Sequence, residues 1–235
     1  MKGYGQFCPV SKAAEILNER WTLLIIRELL CGSRRFNDLR RGVPLMSPSL
    51  LSQRLKALQE YGVVERRRLE NGRGSEYHLT PAGNELKPIV LSFGEWGQRW
   101  IRSQIHEADL DAGLLMWDMR RTIDAEAFPP ERTAIAFEYS DAPGKERHWW
   151  LVVQDGEIEL CWEDPGIPID LYIFTDLHTM TQIWMGDISI SEAQRRDLIE
   201  LQGSREIIRA MPRWFTRSLF ATVPRPPSAA YVAMC

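Results

Sequence analysis

The chain has 235 residues, of which 44% are hydrophobic and 26% charged, with a formal net charge of −3. This mixture excludes a disordered chain, a collagen and a disulfide-rich miniprotein. No stretch approaches the roughly 18 to 20 consecutive apolar residues of a membrane helix, and the N-terminus lacks a basic-then-apolar signal pattern, so a cytoplasmic protein is expected.

The charge is unevenly divided. Residues 1–104 hold 17 Lys/Arg against 10 Asp/Glu, and residues 105–235 hold 12 against 22. A +7 half joined to a −10 half suggests two units with different partners, one of them a polyanion. The four cysteines (Cys8, Cys31, Cys161, Cys235) form no CxxC pair and the four histidines are scattered. No structural metal and no cofactor are expected.

Val10–Leu17 reads as a short amphipathic helix. Trp21–Leu30 is apolar on nearly every side, the mark of a central buried helix, and Gly32 supplies its stop. Arg35–Arg41 is a short polar helix. In Ser47-Pro48, the serine can cap a helix while proline occupies its first turn, where a missing N–H costs nothing. Leu51, Leu55 and Leu58 then form one apolar stripe, with Ser49, Ser52, Gln53 and Lys56 opposite and Gly62 at the end. Val63–Leu69 and Glu76–Leu79 pair as a hairpin around the turn Asn71-Gly72-Arg73-Gly74. Thr80-Pro81 opens a long helix to about residue 104, which Pro88 is expected to bend. Its apolar face includes Phe93, Trp96 and Trp100. That face could pack on its own domain, on the second unit or on a second copy; a twofold partner is favoured, because symmetric dimers are the commonest oligomers.

In the second half, Leu114–Ile123 reads as a helix that Phe128-Pro129-Pro130 breaks. Strands are expected at Thr133–Tyr139, Trp149–Val153, Glu157–Trp162 and Pro168–Thr175, with Asp155-Gly156 as a two-residue hairpin turn. Asp176 caps a helix through Trp184. Ser191 with Gln194 suggests a capping box. Leu198–Gln202 is read as a fifth strand rather than a helix continuation. Ser204 opens a final helix carrying Ile207, Ile208, Met211, Phe215 and Leu219, and a mobile tail begins at residue 224.

The N-terminal order of helices followed by a basic hairpin describes a winged helix-turn-helix. A helix fits the DNA major groove and offers short polar side chains to base edges. The expected base contacts are Ser49, Ser52, Gln53 and Lys56, next to the cap Ser47. Arg34, Arg35, Arg40, Arg41 and Arg54 are expected on phosphates, and Arg73 at the hairpin tip in a minor groove or on the backbone. Glu60 faces outward but would repel phosphate. Several stretches make the sequence resemble the HxlR-type, MarR-related winged-helix transcription regulators: Cys8-Pro9, Glu19 to Leu29, Arg35 to Leu39, Ser47 to Leu55, Tyr77 to Gly83 and Trp96-Gly97. The resemblance covers about residues 7 to 100. It implies a homodimer on a near-palindromic double-stranded operator, with 47–61 as recognition helix. Cys8 is either an exposed thiol that senses oxidants, as some members of that family have, or a small buried apolar residue.

The element order and short words of the second half resemble a sterol-carrier-protein-like domain, an α+β layer with an apolar tunnel. Six of the nine tryptophans lie there. Trp149, Leu151, Trp162, Trp184 and Phe215 are candidate walls for an apolar small-molecule effector, or else simple core. No nucleophile elbow, phosphate loop or metal set is present, and Asp176 beside His178 reads better as a helix cap than as an acid/base pair, so catalysis is not expected. The expected architecture is α+β: a winged-helix DNA-binding and dimerisation domain at 1–106, an α+β sterol-carrier-like ligand domain at 107–223 and the tail at 224–235. The rival reading is a lipid or small-molecule carrier whose helical domain serves only dimerisation.

Overall fold

The computed structural model describes residues 3–69, 74–101 and 106–224. The hairpin tip with Arg73, the end of the long helix at 102–105 and the tail beyond residue 224 lie outside the described residues. The chain divides into two compact units, Met1–Gly94 and Glu95–Cys235. No helix among the described residues is long and apolar enough to cross a membrane.

The first unit begins with α1 (Pro9–Leu17), α2 (Thr22–Leu30), α3 (Phe36–Gly42) and α4 (Pro48–Glu60). Trp21, expected to start α2, instead precedes it at φ +79°, a conformation a bulky side chain rarely adopts. Nor is α2 enclosed all round: Ile25, Ile26 and Leu29 are fully buried, whereas Leu24 is exposed. The α4 stripe is as expected, with Leu51, Leu55 and Leu58 all buried. Ser47 Oγ accepts the Leu50 N–H at 3.3 Å, and Gly62 beyond the helix takes φ +69°.

Strand β1 (Val64–Arg68) pairs antiparallel with β2 (Ser75–Leu79), Arg66 opposite Tyr77. A single bridge adds Arg35 to the β2 edge at Glu76, and the Tyr77 N–H donates to the Arg34 carbonyl at 2.8 Å. After the Thr80 cap comes a short α5 (Pro81–Asn84), then α6 (Lys87–Trp100). The break thus falls in the turn just before Pro88, where the proline ring and missing N–H act, so Pro88 interrupts the helix rather than bending it. Within α6 itself Pro88 sits in the first turn, where its missing N–H breaks no intrahelical bond. Gly42 must be glycine for another reason. A Cβ there would lie 1.8 Å from the Glu28 carboxyl carbon, and that fully buried carboxylate accepts from Ser33 Oγ at 3.1 Å and Arg27 at 2.6 Å.

The second unit holds α7 (Ala112–Thr122), β3 (Thr133–Tyr139), β4 (His148–Gln154), β5 (Glu157–Cys161), β6 (Leu171–Thr175), α8 (Leu177–Met185), α9 (Ile190–Arg195), β7 (Ile199–Gly203) and α10 (Arg205–Trp214). The sheet order is β5-β4-β3-β6-β7, with β3–β6 parallel and the other pairs antiparallel. Alternation puts Ile135, Phe137 and Tyr139 of β3, Leu151 and Val153 of β4, and Leu171 and Ile173 of β6 on one buried face. Most of these share a core with Met116, Met119, Met180, Ile183 and Trp214 from the helices. Asp155 and Gly156 take φ +53° and +76°, the two-residue turn expected from their chemistry.

Two helix boundaries differ from expectation. The cap of α9 is Ser189, whose hydroxyl accepts the Glu192 N–H at 3.0 Å; Ser191 lies inside the helix. Helix α10 stops at Trp214, so Phe215 is its C-cap and Leu219 lies beyond it, exposed. Pro212, lacking an N–H, weakens the last turn. The Trp214 indole N–H donates to the Ile207 carbonyl there at 3.0 Å.

Candidate nucleic-acid interface

Helix α4 presents Ser49, Ser52, Gln53 and Lys56 to solvent, all exposed, while its opposite side is locked into the first core. A helix whose backbone is fixed by its core side can be read against base edges at the cost of ordering only its exposed side chains. Lys56 Nζ lies 3.8 Å from Glu60 Oε1, both highly exposed, so this pair competes weakly with any anion. Ser47 spends its hydroxyl on the helix cap and lies 3.2 Å from the Ser49 hydroxyl.

The arginines divide by what they already hold. Arg34 donates to the carbonyls of Leu29 (2.5 Å) and Ser33 (3.2 Å), tying down the end of α2. Arg35 is 64% exposed and only 4.0 Å from Glu76, a loose pair. Arg40 is exposed with no charge partner among the described residues, and Arg41 lies 3.9 Å from Asp38. Arg54 is 18% exposed and engaged through Nη2 by Glu19 and through Nε by the Arg20 carbonyl. Arg73 lies outside the described residues. On β1, Arg66 and Arg68 are exposed without a charge partner among the described residues, whereas Arg67 pairs with Glu65. The sequence showed Arg66 and Arg68 as part of a basic run, and the ion pair with Glu65 sets Arg67 apart from them.

Cys8 is exposed at the N-terminal end of α1, directly before Pro9. Its expected basic neighbour Lys12 is held by Glu15 at 3.0 Å, a contact that lowers the Glu15 carboxyl below the usual range. Asp176 is a helix cap, accepting the Thr179 N–H and hydroxyl at 2.7 Å each, while His178 is exposed.

Four of the five expected pocket residues of the second unit belong to or pack against one apolar cluster, and Trp162 does not. Leu151 and Phe215 are core. Trp162 is 55% exposed. Trp149 and Trp184 are half-buried, with indole N–H groups donating to the Glu146 carbonyl (2.7 Å) and to Thr122 Oγ1 (3.5 Å). A cleft of about 260 Å³ lies instead between residues 126–129 and α10. Its walls include Glu126, Phe128, Glu206, Ile207, Arg213 and Trp214, and none of the five expected residues lines it.

Residues 16–105 match the family model described as HxlR-like helix-turn-helix. Over 98 residues the chain is 41% identical to the uncharacterized HTH-type transcriptional regulator YvaP of Bacillus subtilis, covering 41% of this chain and 91% of that protein. It is 31% identical over 110 residues to the uncharacterized HTH-type transcriptional regulator sll1512 of Synechocystis, covering 46% of this chain and 82% of the relative. Among solved structures, the reduced form of the transcriptional regulator YodB from Bacillus subtilis matches at 33% identity and TM-score 0.36, over 40% of this chain and 93% of that one.

Proposed function

The chain belongs to the HxlR-like helix-turn-helix family, and from that premise we propose that this DNA-binding transcriptional regulator acts as a homodimer on a near-palindromic double-stranded operator. The observation that carries the reading is the outer face of α4. Ser49, Ser52, Gln53 and Lys56 stand exposed on a helix whose other side is core. In this reading Gln53 pairs two-pronged with adenine, Ser49 and Ser52 adjust to either hydrogen-bonding sense, and Lys56 meets a base edge or a phosphate. Arg35, Arg40, Arg66 and Arg68 supply backbone contacts, with Arg73 at the hairpin tip. Arg34 and Ser47 leave the contact set, since each serves a helix end.

Dimerisation is supported by α6. Ile89, Phe93 and Trp96 lie at helical spacing and are 48%, 63% and 49% exposed, an apolar stripe that a twofold partner would cover. Domain limits of 1–106, 107–223 and a tail at 224–235 remain the proposed division of labour, and cytoplasmic location follows from the DNA partner. For the second unit we propose effector binding. The sterol-carrier-like reading is supported by a sheet with helices packed on one face, and by Leu151, Phe215, Trp149 and Trp184 lying in or against one apolar cluster there. For Cys8, exposure favours the sensing alternative over the buried one.

The reading is tested by selecting duplexes from a randomised library with the full chain, then repeating the selection with Gln53→Ala. The variant should lose preference at one position per half-site, by about 1–3 kcal/mol. An unchanged preference would remove α4 as the reading element.

A further inference from the structure

Arg54 lies on the recognition helix, yet its geometry gives it a different task from its neighbours. At about 100° per residue it sits roughly 150° around α4 from the centre of the Ser49–Ser52–Gln53–Lys56 face. Its Nη2 meets Glu19 Oε2 at 2.5 Å, and its Nε donates to the Arg20 carbonyl at 3.3 Å. Both acceptors belong to the turn between α1 and α2, and neither side chain is freely solvated: 18% of Arg54 and 31% of Glu19 are exposed.

That turn is itself held in one uncommon shape. Trp21 takes φ +79°, the Arg20 guanidinium stands over the Trp21 ring at 5.2 Å, and the Thr22 N–H closes on the Glu19 carbonyl at 3.0 Å. A turn that costs strain to form is a firm anchor once packing has fixed it. Arg54 could reach a phosphate only by giving up both contacts, which would leave the Glu19 carboxylate uncompensated beside a polyanion.

We propose that Glu19 and Arg54 form a positioning clamp that fixes the rotation of the recognition helix against the α1–α2 turn, and that Arg54 is not a phosphate contact. The inference rests on the DNA-binding reading above. The clamp acts through the aim of Gln53 and its neighbours: a helix rolled about its axis moves every base-reading atom while leaving the phosphate contacts of Arg35, Arg40 and the β1 strand in place.

The test compares wild type, Glu19→Gln, Arg54→Gln, Arg54→Lys and the double exchange Glu19→Arg with Arg54→Glu. Each full chain is titrated against a library-selected duplex and a scrambled duplex of equal length over a range of salt. Each Gln variant should lower the selected-to-scrambled affinity ratio about fivefold, the scale of a well-formed, partly exposed ion pair. The salt slope should not change, Arg54→Lys should lose less than Arg54→Gln, and the double exchange should recover much of the ratio. Amide hydrogen exchange of residues 48–60 in the free protein should quicken in Glu19→Gln and return toward wild type in the exchange. This readout needs no DNA and also decides the matter if a variant is too unstable to titrate. A salt slope reduced by about 0.9 in Arg54→Gln but not in Glu19→Gln would make Arg54 a phosphate contact and overturn the clamp. So would a Glu19→Gln variant that binds both duplexes more tightly, or unchanged α4 exchange. If wild type binds neither duplex, the DNA-binding reading fails, while the exchange data still decide the clamp.

Discussion

The four residues that α4 offers to DNA in the first unit, Ser49, Ser52, Gln53 and Lys56, come from one stretch of eight residues, while the five expected to wall a ligand site in the second unit come from β4, the end of β5, α8 and the end of α10. The first set emerges largely together on one exposed helix face. In the second set, Leu151 and Phe215 fill one core, Trp149 and Trp184 pack half-buried at its edge, and Trp162 stands exposed. A site carried by one periodic element is fixed once its register is known, because buried leucines on one side dictate what stands on the other. A cavity built from four elements depends on side-chain volumes and closing distances that no local pattern contains.

The largest effect that sharpens this contrast is expected in the second unit's core. Trp214 is fully buried and joins α10 to Phe128, whose ring centroid lies 5.2 Å away. Trp214→Ala should cost about 3–5 kcal/mol of unfolding free energy by denaturant titration, whereas Trp162→Ala, at a 55% exposed position, should cost clearly less. Equal costs would mean that the two tryptophans are not divided between core and surface. Next comes Gly42→Ala in the first unit. Its Cβ would collide with the buried Glu28 carboxylate, and a loss of about 1–3 kcal/mol is expected, with operator binding falling only as far as the fold does. Ser47→Ala should cost about 1 kcal/mol through the lost α4 cap, read by thermal melting.

The smallest effect is alkaline. Burial first, and the Asp141 carboxylate second, push the Tyr139 phenol well above its ordinary value, and its hydroxyl donates to Met116 Sδ at 2.9 Å. A raised folded-state value means that the unfolded chain releases this proton first. The stabilisation is therefore complete below about pH 10 and declines as pH rises beyond it. Melting temperature followed from pH 9 to 11 should fall less steeply in Tyr139→Phe; identical slopes would show that Tyr139 ionises freely.

Much of the fold was legible from local chemistry. The Ser47-Pro48, Thr80-Pro81 and Asp176 starts, the Asp155-Gly156 turn and the five strands of the second unit all stand where capping, turn and alternation rules put them, within a residue or three. What escaped the sequence depended on neighbours distant along the chain. Trp21 stands outside its helix at φ +79°, in a turn that the Thr22 N–H closes on the Glu19 carbonyl. Arg54 looks like any exposed arginine of a recognition helix until Glu19, 35 residues earlier, is seen to hold it. Arg34 reads as a phosphate contact until the Leu29 and Ser33 carbonyls are seen to accept from its guanidinium. The cleft lined by Phe128, Arg213 and Trp214 joins residues 126–129 to a helix about 80 residues later, and that helix ends at Trp214, whereas the sequence had carried it on to Leu219.

The division between a DNA-reading unit and an acidic second unit is tested most directly by one salt titration. The full chain is bound to its library-selected duplex, and the logarithm of affinity is followed against the logarithm of salt concentration. Binding through the exposed arginines and α4 predicts a straight decline, with a slope of about 0.9 for each phosphate met, together with a clear preference over scrambled DNA throughout. A flat line, or equal affinity for both duplexes at every salt concentration, would contradict it.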